Sequence, residues 1–117
     1  MAGDEEYVDV VQSQLDAVKD FARSKGYSGT HNEHVDRLGQ GASDDYTFQL
    51  AEGKDYLIVS VCDQYCSDLD LTLFDENNNE IATDTSTDDA PVVEVSPRWS
   101  GKFRLNVTMY ACGNAPC

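Results

Sequence analysis

Five short runs in which every second residue is apolar recur along the chain after residue 45. The alternating residues are Tyr46, Phe48 and Leu50; Leu57, Val59 and Val61; Leu69, Leu71 and Leu73; Val93 and Val95; and Phe103, Leu105, Val107 and Met109. A period of two places apolar side chains on one face of a β-strand. Strands with one apolar face need a second sheet to cover it, so we predict an antiparallel β-sandwich over residues 46–117.

Four cysteines form two close clusters, and each cluster directly follows one of these runs. An even number of cysteines in a small acidic chain favours disulfides formed in an oxidising compartment, which predicts a secreted or periplasmic protein whose signal peptide has been removed. Both disulfides are expected to be local, Cys62 with Cys66 and Cys112 with Cys117, because no long loop has to close. The alternative is a four-thiolate zinc site, although neither cluster has the usual C-x2-C spacing.

The charge of the chain restricts its partners. With 22 acidic and 8 basic residues the net charge is -14. Nucleic acids and anionic membrane surfaces attract basic proteins, so both are excluded as partners, and no segment is long and apolar enough to insert into a membrane. Between Asp55 and Pro97 there is no Lys, Arg or His. One side of the domain is therefore predicted to be strongly negative, either as a solvated surface or as a site for a divalent cation or a basic partner.

The N-terminal segment has helical periodicity. Apolar residues recur at spacings of three and four as Val8, Val11, Leu15, Val18 and Ala22. This pattern predicts an amphipathic helix over residues 4–25, ended by Gly26, and a polar connector over residues 26–45. We expect the apolar stripe to pack against the sheet in a monomer, and the alternative is an oligomer that forms through the helix.

Acidic side chains next to the first cysteine cluster are candidate metal ligands. Asp68 and Asp70 alternate with leucines, so both carboxylates are expected on one face of a strand. Calcium prefers oxygen ligands, and nearby loop carboxylates could complete such a site: Asp84, Asp88 and Asp89. The alternative is that Asp68 and Asp70 accept backbone hydrogen bonds. The segment 75–80 resembles the start of an EF-hand loop but lacks its glycine, so it is interpreted as a hairpin turn.

Other candidate site residues are few. His31 and His34 lie three residues apart in the polar connector, where we expect both to be exposed to solvent. Trp99 precedes the last run and is expected to close one end of the core, with a role as a binding anchor as the alternative. The chain offers no convincing catalytic triad.

Three segments are similar to a known family. Residues 46–53 read YTFQLAEG, residues 68–75 read DLDLTLFD and residues 100–105 read SGKFRL. Together they resemble the bacterial pre-peptidase C-terminal domain over the C-terminal two-thirds of the chain. The resemblance implies a jelly-roll-like β-sandwich with a non-catalytic role. Because the family's relatives include calcium-supported collagen-binding domains of secreted collagenases, it also implies calcium as an optional cofactor. The N-terminal helix is not part of the family pattern.

Three functions follow in order of preference. The first is a non-enzymatic extracytoplasmic module that binds or assists a protein or another macromolecule. The second is a stand-alone structural protein that assembles through its helix. The third is a small hydrolase.

Overall fold

The computed structural model describes residues 2–31, 33–87, 89–113 and 116–117, with side chains inside the helix described from Val8 onward. This part of the chain contains one helix and six strands: α1 Ala2–Ser24, β1 Ser43–Leu50, β2 Tyr56–Val59, β3 Cys66–Phe74, β4 Glu80–Asp84, β5 Val92–Val95 and β6 Gly101–Cys112. The predicted fold class is confirmed: the chain is mainly β, with a single helix before the strands.

The strands form two antiparallel sheets. The larger sheet has the order β1-β6-β3-β4, and the smaller one pairs β2 with β5. The two inner strands of the larger sheet are β6 and β3, and β6, which is 12 residues long, pairs with both β1 and β3. The connections therefore cross between sheets, as in a sandwich, and strands distant in sequence become neighbours.

One hydrophobic core lies between the two sheets. Leu71 and Leu73 are fully buried at 0% exposure, and Phe103 is 1% exposed. In the β3–β6 register Leu71 lies opposite Val107 and Leu73 opposite Leu105, so the alternating residues of the two strands share one face. Burying each such side chain contributes about 1.5–3 kcal/mol. The apolar alternation of these two strands is confirmed.

The predicted inward face of β2 is wrong by one residue. Tyr56 and Ile58 pack against the core, and they lie opposite the buried Val95 and Val93 of β5. Leu57 is therefore on the other face of the smaller sheet. The run Tyr56–Val59 is apolar on both faces, so its sequence does not indicate which face turns toward the core. The pairing with β5 determines this orientation.

A strand that the sequence did not predict, β4, follows a tight turn after β3. Only Ala82 of this strand packs against the core, so the period-two signal is nearly absent. The turn itself was predicted correctly. Asp75 Oδ1 accepts hydrogen bonds from the backbone N–H groups of Asn77 (2.8 Å) and Asn79 (2.9 Å), and Asn78 adopts a left-handed φ of 64°. These bonds and this conformation are typical of a hairpin turn.

The helix ends close to its predicted boundary. After Ser24, the N–H of Gly26 donates to the carbonyl of Arg23 and the N–H of Tyr27 to that of Ala22, both at 3.0 Å. Gly26 has a φ of 91°, a conformation that favours glycine, so it terminates the helix as the sequence indicated. The described helix is not long and apolar enough to cross a membrane.

The helix does not join the core. Its stripe is half-buried at Val11, Leu15, Val18 and Ala22, and no described side chain of α1 belongs to the core or to the half-buried residues packed on it. Gln12 and Lys19 contact Glu33 of the connector, and Gln14 Nε2 donates to the carbonyl of Cys62 at 2.8 Å. The expected core packing of the stripe is therefore wrong, because the connector and the first disulfide loop are the partners of the helix.

The connector is joined to the C-terminal end of the chain. Leu38 and Cys117 exchange two backbone hydrogen bonds of 2.9 Å, and the N–H of Gly41 donates to the carbonyl of Met109 at 2.7 Å. These bonds hold the connector beside β6, and β1 begins at Ser43, three residues earlier than predicted. The connector therefore extends the fold and is not a free linker.

Candidate functional site

Both predicted disulfides are present. Cys62 is bonded to Cys66 with a Cα–Cα distance of 5.9 Å, and Cys112 to Cys117 with a distance of 6.1 Å. No cysteine is free, so the alternative of a four-thiolate zinc site is wrong. Cys66 lies directly opposite Cys112 in the β3–β6 register. The two disulfides consequently lie side by side at one end of the larger sheet.

Asp68 and Asp70 come together on β3, as the alternation predicted. Asp68 is 5% exposed, and the Oδ1 atoms of both carboxylates are buried without a hydrogen-bond partner in the described part of the chain. Burial raises the pKa of the Asp70 carboxyl, and the charge of Asp68, a hydrogen bond that protonated Asp70 can donate to Asp68, and the charge of Asp84 raise it further. The arrangement concentrates negative charge in a poorly solvated place, which destabilises the ionised pair.

The remaining predicted ligands do not converge on this pair. Asp84 Oδ2 accepts the N–H of Val92 at 2.9 Å and its Oδ1 accepts that of Ser86 at 3.2 Å, and the bond to Val92 is the main reason that the pKa of Asp84 is lowered. Asp89 is exposed, and Asp88 lies outside the described residues. Within the described ranges, no three acidic, His or Cys side chains are placed to hold a metal ion. The calcium site stays a prediction.

Other aspartates of the domain accept backbone hydrogen bonds, which was the alternative role considered for Asp68 and Asp70. Beside the first disulfide, the buried Asp63 accepts the N–H of Tyr65 at 2.9 Å. Asp75 accepts backbone N–H groups in the hairpin, and the bond from Asn79 is the main cause of its lowered pKa. Carboxylates that accept backbone hydrogen bonds are thus common in this domain, whereas the orphaned oxygens of Asp68 and Asp70 are the exception.

The outer face of the larger sheet carries ordered polar side chains that the sequence analysis did not single out. Asn106 Nδ2 donates to Asp45 Oδ1 at 2.8 Å, and Thr108 Oγ1 donates to Asn106 Oδ1 at 3.0 Å. The hydroxyls of Thr72 and Thr83 are 3.0 Å apart. We refer to these residues together with Arg104 and Tyr110 as the polar face. In the sequence, the polar face is indicated by the polar residues that alternate with the apolar residues of β3 and β6.

Arg104 connects the polar face with the end of β3 and with the hairpin turn that follows it. Its guanidinium lies 4.3 Å from the ring centre of Phe74, and its two terminal nitrogens contact Asp45 at 3.3 Å and Asn78 at 3.2 Å. At the other end of β6, Tyr110 is 66% exposed. The face therefore combines fixed hydrogen-bonding groups with one protruding aromatic ring.

Trp99 and the two histidines lie against aromatic rings. Trp99 stacks on the buried Phe103 at 6.1 Å and remains 39% exposed, so it covers one end of the core as expected. His31 contacts Phe48 and its Nε2 is 2.7 Å from the carbonyl of Gln49. His34 lies 5.2 Å from the ring of Tyr46. Both histidines are exposed, as predicted.

Comparison with known proteins gives no match to a family model, to a curated protein or to a solved structure. The resemblance to the pre-peptidase C-terminal domain therefore stays a prediction that depends on the three segments quoted above.

Proposed function

We propose that the chain is a non-catalytic, extracytoplasmic β-sandwich module that binds a protein or another macromolecule through the polar face. The observation that carries this proposal is the exposure of Tyr110, 66% of whose surface is open to solvent beside a row of ordered polar groups. A tyrosine offers a large contact area at low entropic cost, and aromatic residues are enriched at the centres of binding sites.

The order of the polar groups supports a binding role. Asp45, Asn106 and Thr108 form a chain of hydrogen bonds across β1 and β6, so their side chains are already fixed before a ligand arrives. Binding to fixed groups avoids part of the entropy that flexible side chains would lose. These groups belong to two paired strands, which position them more rigidly than loops would.

The charge of the domain limits the partner to neutral or basic macromolecules. The net charge of -14 repels nucleic acids and other polyanions. Asp45 and Asp70 contribute carboxylates to the strands of this face, and Arg104 is engaged by Asp45 and Asn78. The hydroxyl, amide and carboxylate groups can accept and donate hydrogen bonds to a neutral polymer as well as to a basic protein.

The extracytoplasmic location in this proposal is supported by the two disulfides, which form and persist in oxidising compartments. A pre-peptidase C-terminal type of module agrees with the quoted segments and with the sandwich of two antiparallel sheets. Calcium enters the proposal only as an optional ligand of the Asp68 region.

Solid-phase binding to immobilised collagen and to a panel of neutral polysaccharides tests the proposal. Tyr110→Ala is expected to weaken binding at least about tenfold without changing the melting temperature, since the protruding aromatic contact is removed from the surface. Phe21→Ala is the matched control, because Phe21 is an aromatic residue of similar exposure, 61%, on the helix. Binding that Tyr110→Ala leaves unchanged would contradict the role of the polar face.

A second candidate function is self-assembly through the helix. Phe21 and Val8 of α1 are 61% and 44% exposed, so apolar surface remains open at two points of the helix. In this case Phe21→Ala would shift the molar mass in light scattering toward the monomer, whereas Tyr110→Ala would not. A monomeric wild-type protein over the accessible concentration range would exclude this function.

A further inference from the structure

The two disulfides meet at a pair of cysteines that belong to different bridges. Cys66 and Cys112 are direct partners across β3 and β6. The N–H of Cys66 donates to the carbonyl of Asp63 at 3.2 Å, and the N–H of Cys112 donates to Gln40 Oε1 at 3.1 Å. Neither amide is directed at the opposite cysteine, so the two residues form a non-hydrogen-bonded pair of the ladder.

This type of pair brings side chains closest together. The flanking hydrogen bond, from the N–H of Gly113 to the carbonyl of Tyr65 at 2.7 Å, is the one expected next to a non-hydrogen-bonded pair. Opposite Cα atoms at such a pair are about 4.5 Å apart, which is inside the range of about 4.4–6.8 Å that a disulfide spans. Both side chains are also buried on the same side of the sheet, at 4% and 6% exposure.

The other two cysteines hold the helix and the connector. The carbonyl of Cys62 accepts the side chain of Gln14 from α1, and Cys117 exchanges two backbone hydrogen bonds with Leu38 of the connector. Each local disulfide therefore fixes one docking point of the N-terminal part of the chain on the sandwich. Loss of both local disulfides would release these two points without breaking any pairing of β3 with β6.

We propose that the four cysteines form a redox switch, in which mild reduction transfers a disulfide to the Cys66–Cys112 pair and frees the helix and the connector from the sandwich. The sheet gains a covalent bond between its two central strands. The transfer also opens the two short loops that the local disulfides close, one between Cys62 and Cys66 and one between Cys112 and Cys117.

The exchange needs only a low-molecular-weight thiol such as glutathione. Two thiol molecules reduce the Cys112–Cys117 bond, giving up two electrons and two protons and leaving as one oxidised disulfide. The Cys112 thiolate then attacks Sγ of Cys66. As the bond between Cys66 and Cys112 forms, the bond between Cys62 and Cys66 breaks, and the Cys62 sulfur leaves with the electron pair and takes up a proton. The product has one disulfide and two thiols.

Trypsin digestion reads out this exchange directly. Because no Lys or Arg lies between residues 55 and 97 or after residue 104, Cys62 and Cys66 fall in peptide 55–98, and Cys112 and Cys117 in peptide 105–117. After treatment of the full chain with limiting glutathione, acid quenching and alkylation, we expect a joined species of the two peptides with Cys62 and Cys117 alkylated. Separate peptides, with both alkylated cysteines in the same one, would overturn the proposal.

Two double variants provide a second test. Cys62→Ser with Cys117→Ser is expected to oxidise to a monomer that contains the Cys66–Cys112 bond. The matched variant, Cys66→Ser with Cys112→Ser, is expected to keep two thiols, because Cys62 and Cys117 are not partners in a strand register. The proposal is wrong if the first variant keeps two thiols, or forms only intermolecular disulfides, while its circular dichroism remains that of the wild-type protein.

Hydrogen exchange tests the structural consequence in the wild-type chain. In the glutathione-treated protein, amides of α1 and of residues 33–38 are expected to exchange faster, whereas those of β3 and β6 keep their protection. Unchanged exchange in the helix and connector, in protein that carries the Cys66–Cys112 bond, would show that the transfer does not act as a switch.

Discussion

Replacing Asp70 by asparagine is expected to stabilise the domain at neutral pH. Asp70 and Asp68 hold two carboxylates close together, and the Oδ1 atom of each is buried without a partner in the described structure. Asparagine has nearly the same shape, removes one of the two charges and brings an NH2 group that can donate to Asp68. The substitution therefore removes a repulsion and satisfies a buried acceptor in one step.

The size of the effect follows from two general magnitudes. A buried polar atom without a partner costs about 1–3 kcal/mol, and each unit by which burial raises a carboxyl pKa costs about 1.4 kcal/mol at neutral pH. Because Asp70 itself is only half-buried, we take the lower part of this range and expect a gain of about 1–2 kcal/mol. With an unfolding entropy typical of a chain of 117 residues, this gain raises the melting temperature by roughly 4–8 °C.

The gain should depend on pH in a defined direction. The pKa of Asp70 is raised in the folded protein, mainly by burial and then by the charge of Asp68. The folded state therefore binds this proton more tightly than the unfolded state, and the wild-type protein loses stability as the pH rises from the unfolded pKa through the folded one. Asp70→Asn has no such loss, so its advantage is complete above the folded pKa and disappears below about pH 4.

Urea unfolding in the presence of a chelator, at pH 7 and at pH 4, measures the gain in the free energy of unfolding and its dependence on pH. Asp9→Asn is the control, since it removes the same charge from an exposed position of α1 and should change stability by less than about 0.5 kcal/mol. The reasoning is refuted if Asp70→Asn is no more stable than the wild-type protein at pH 7, or if its advantage is the same at both pH values.

Three further outcomes are expected. Leu73→Ala should cost about 2–5 kcal/mol in urea unfolding, because Leu73 is fully buried, whereas Leu15→Ala on the half-buried helix stripe should cost less; equal costs would contradict the placement of α1 outside the core. If the predicted cation site exists, the domain melts higher in calcium than in equal magnesium or in chelator, and three equal melting temperatures remove it. The pKa of Asp75 is lowered chiefly by its hydrogen bond from Asn79, so Asp75→Ala should melt lower than wild type at pH 7, with a difference that shrinks as the pH falls through the folded pKa; a difference that does not change with pH would contradict this assignment.

Features that depend on neighbouring residues in the sequence could be predicted. The two disulfides span only four and five positions, and the alternation in β3 and β6 is a local pattern. The closeness of Asp68 and Asp70 follows from the same period of two. These features can be predicted because the backbone of a single strand determines on which face of the sheet each side chain lies.

Features that depend on strand order could not be predicted. The polar face exists because β1, β6, β3 and β4 are neighbours, and this order brings Asp45 against Asn106 and Thr72 against Thr83. The face of β2 that turns inward is decided by its pairing with β5. The docking of α1 depends on the connector and on the Cys62 carbonyl, whose positions are fixed only by the complete fold.

The central position of β6 also governs the order of events during folding. This strand follows the other five described strands, yet β1 and β3 both take their main pairing from it, across separations such as the 59 residues between Asp45 and Arg104. Neither strand has that partner until β6 has been synthesised. The larger sheet can therefore be completed only after β6 has been made, through contacts of long sequence separation, and such assembly is slow, on the order of milliseconds to seconds for β-sandwiches.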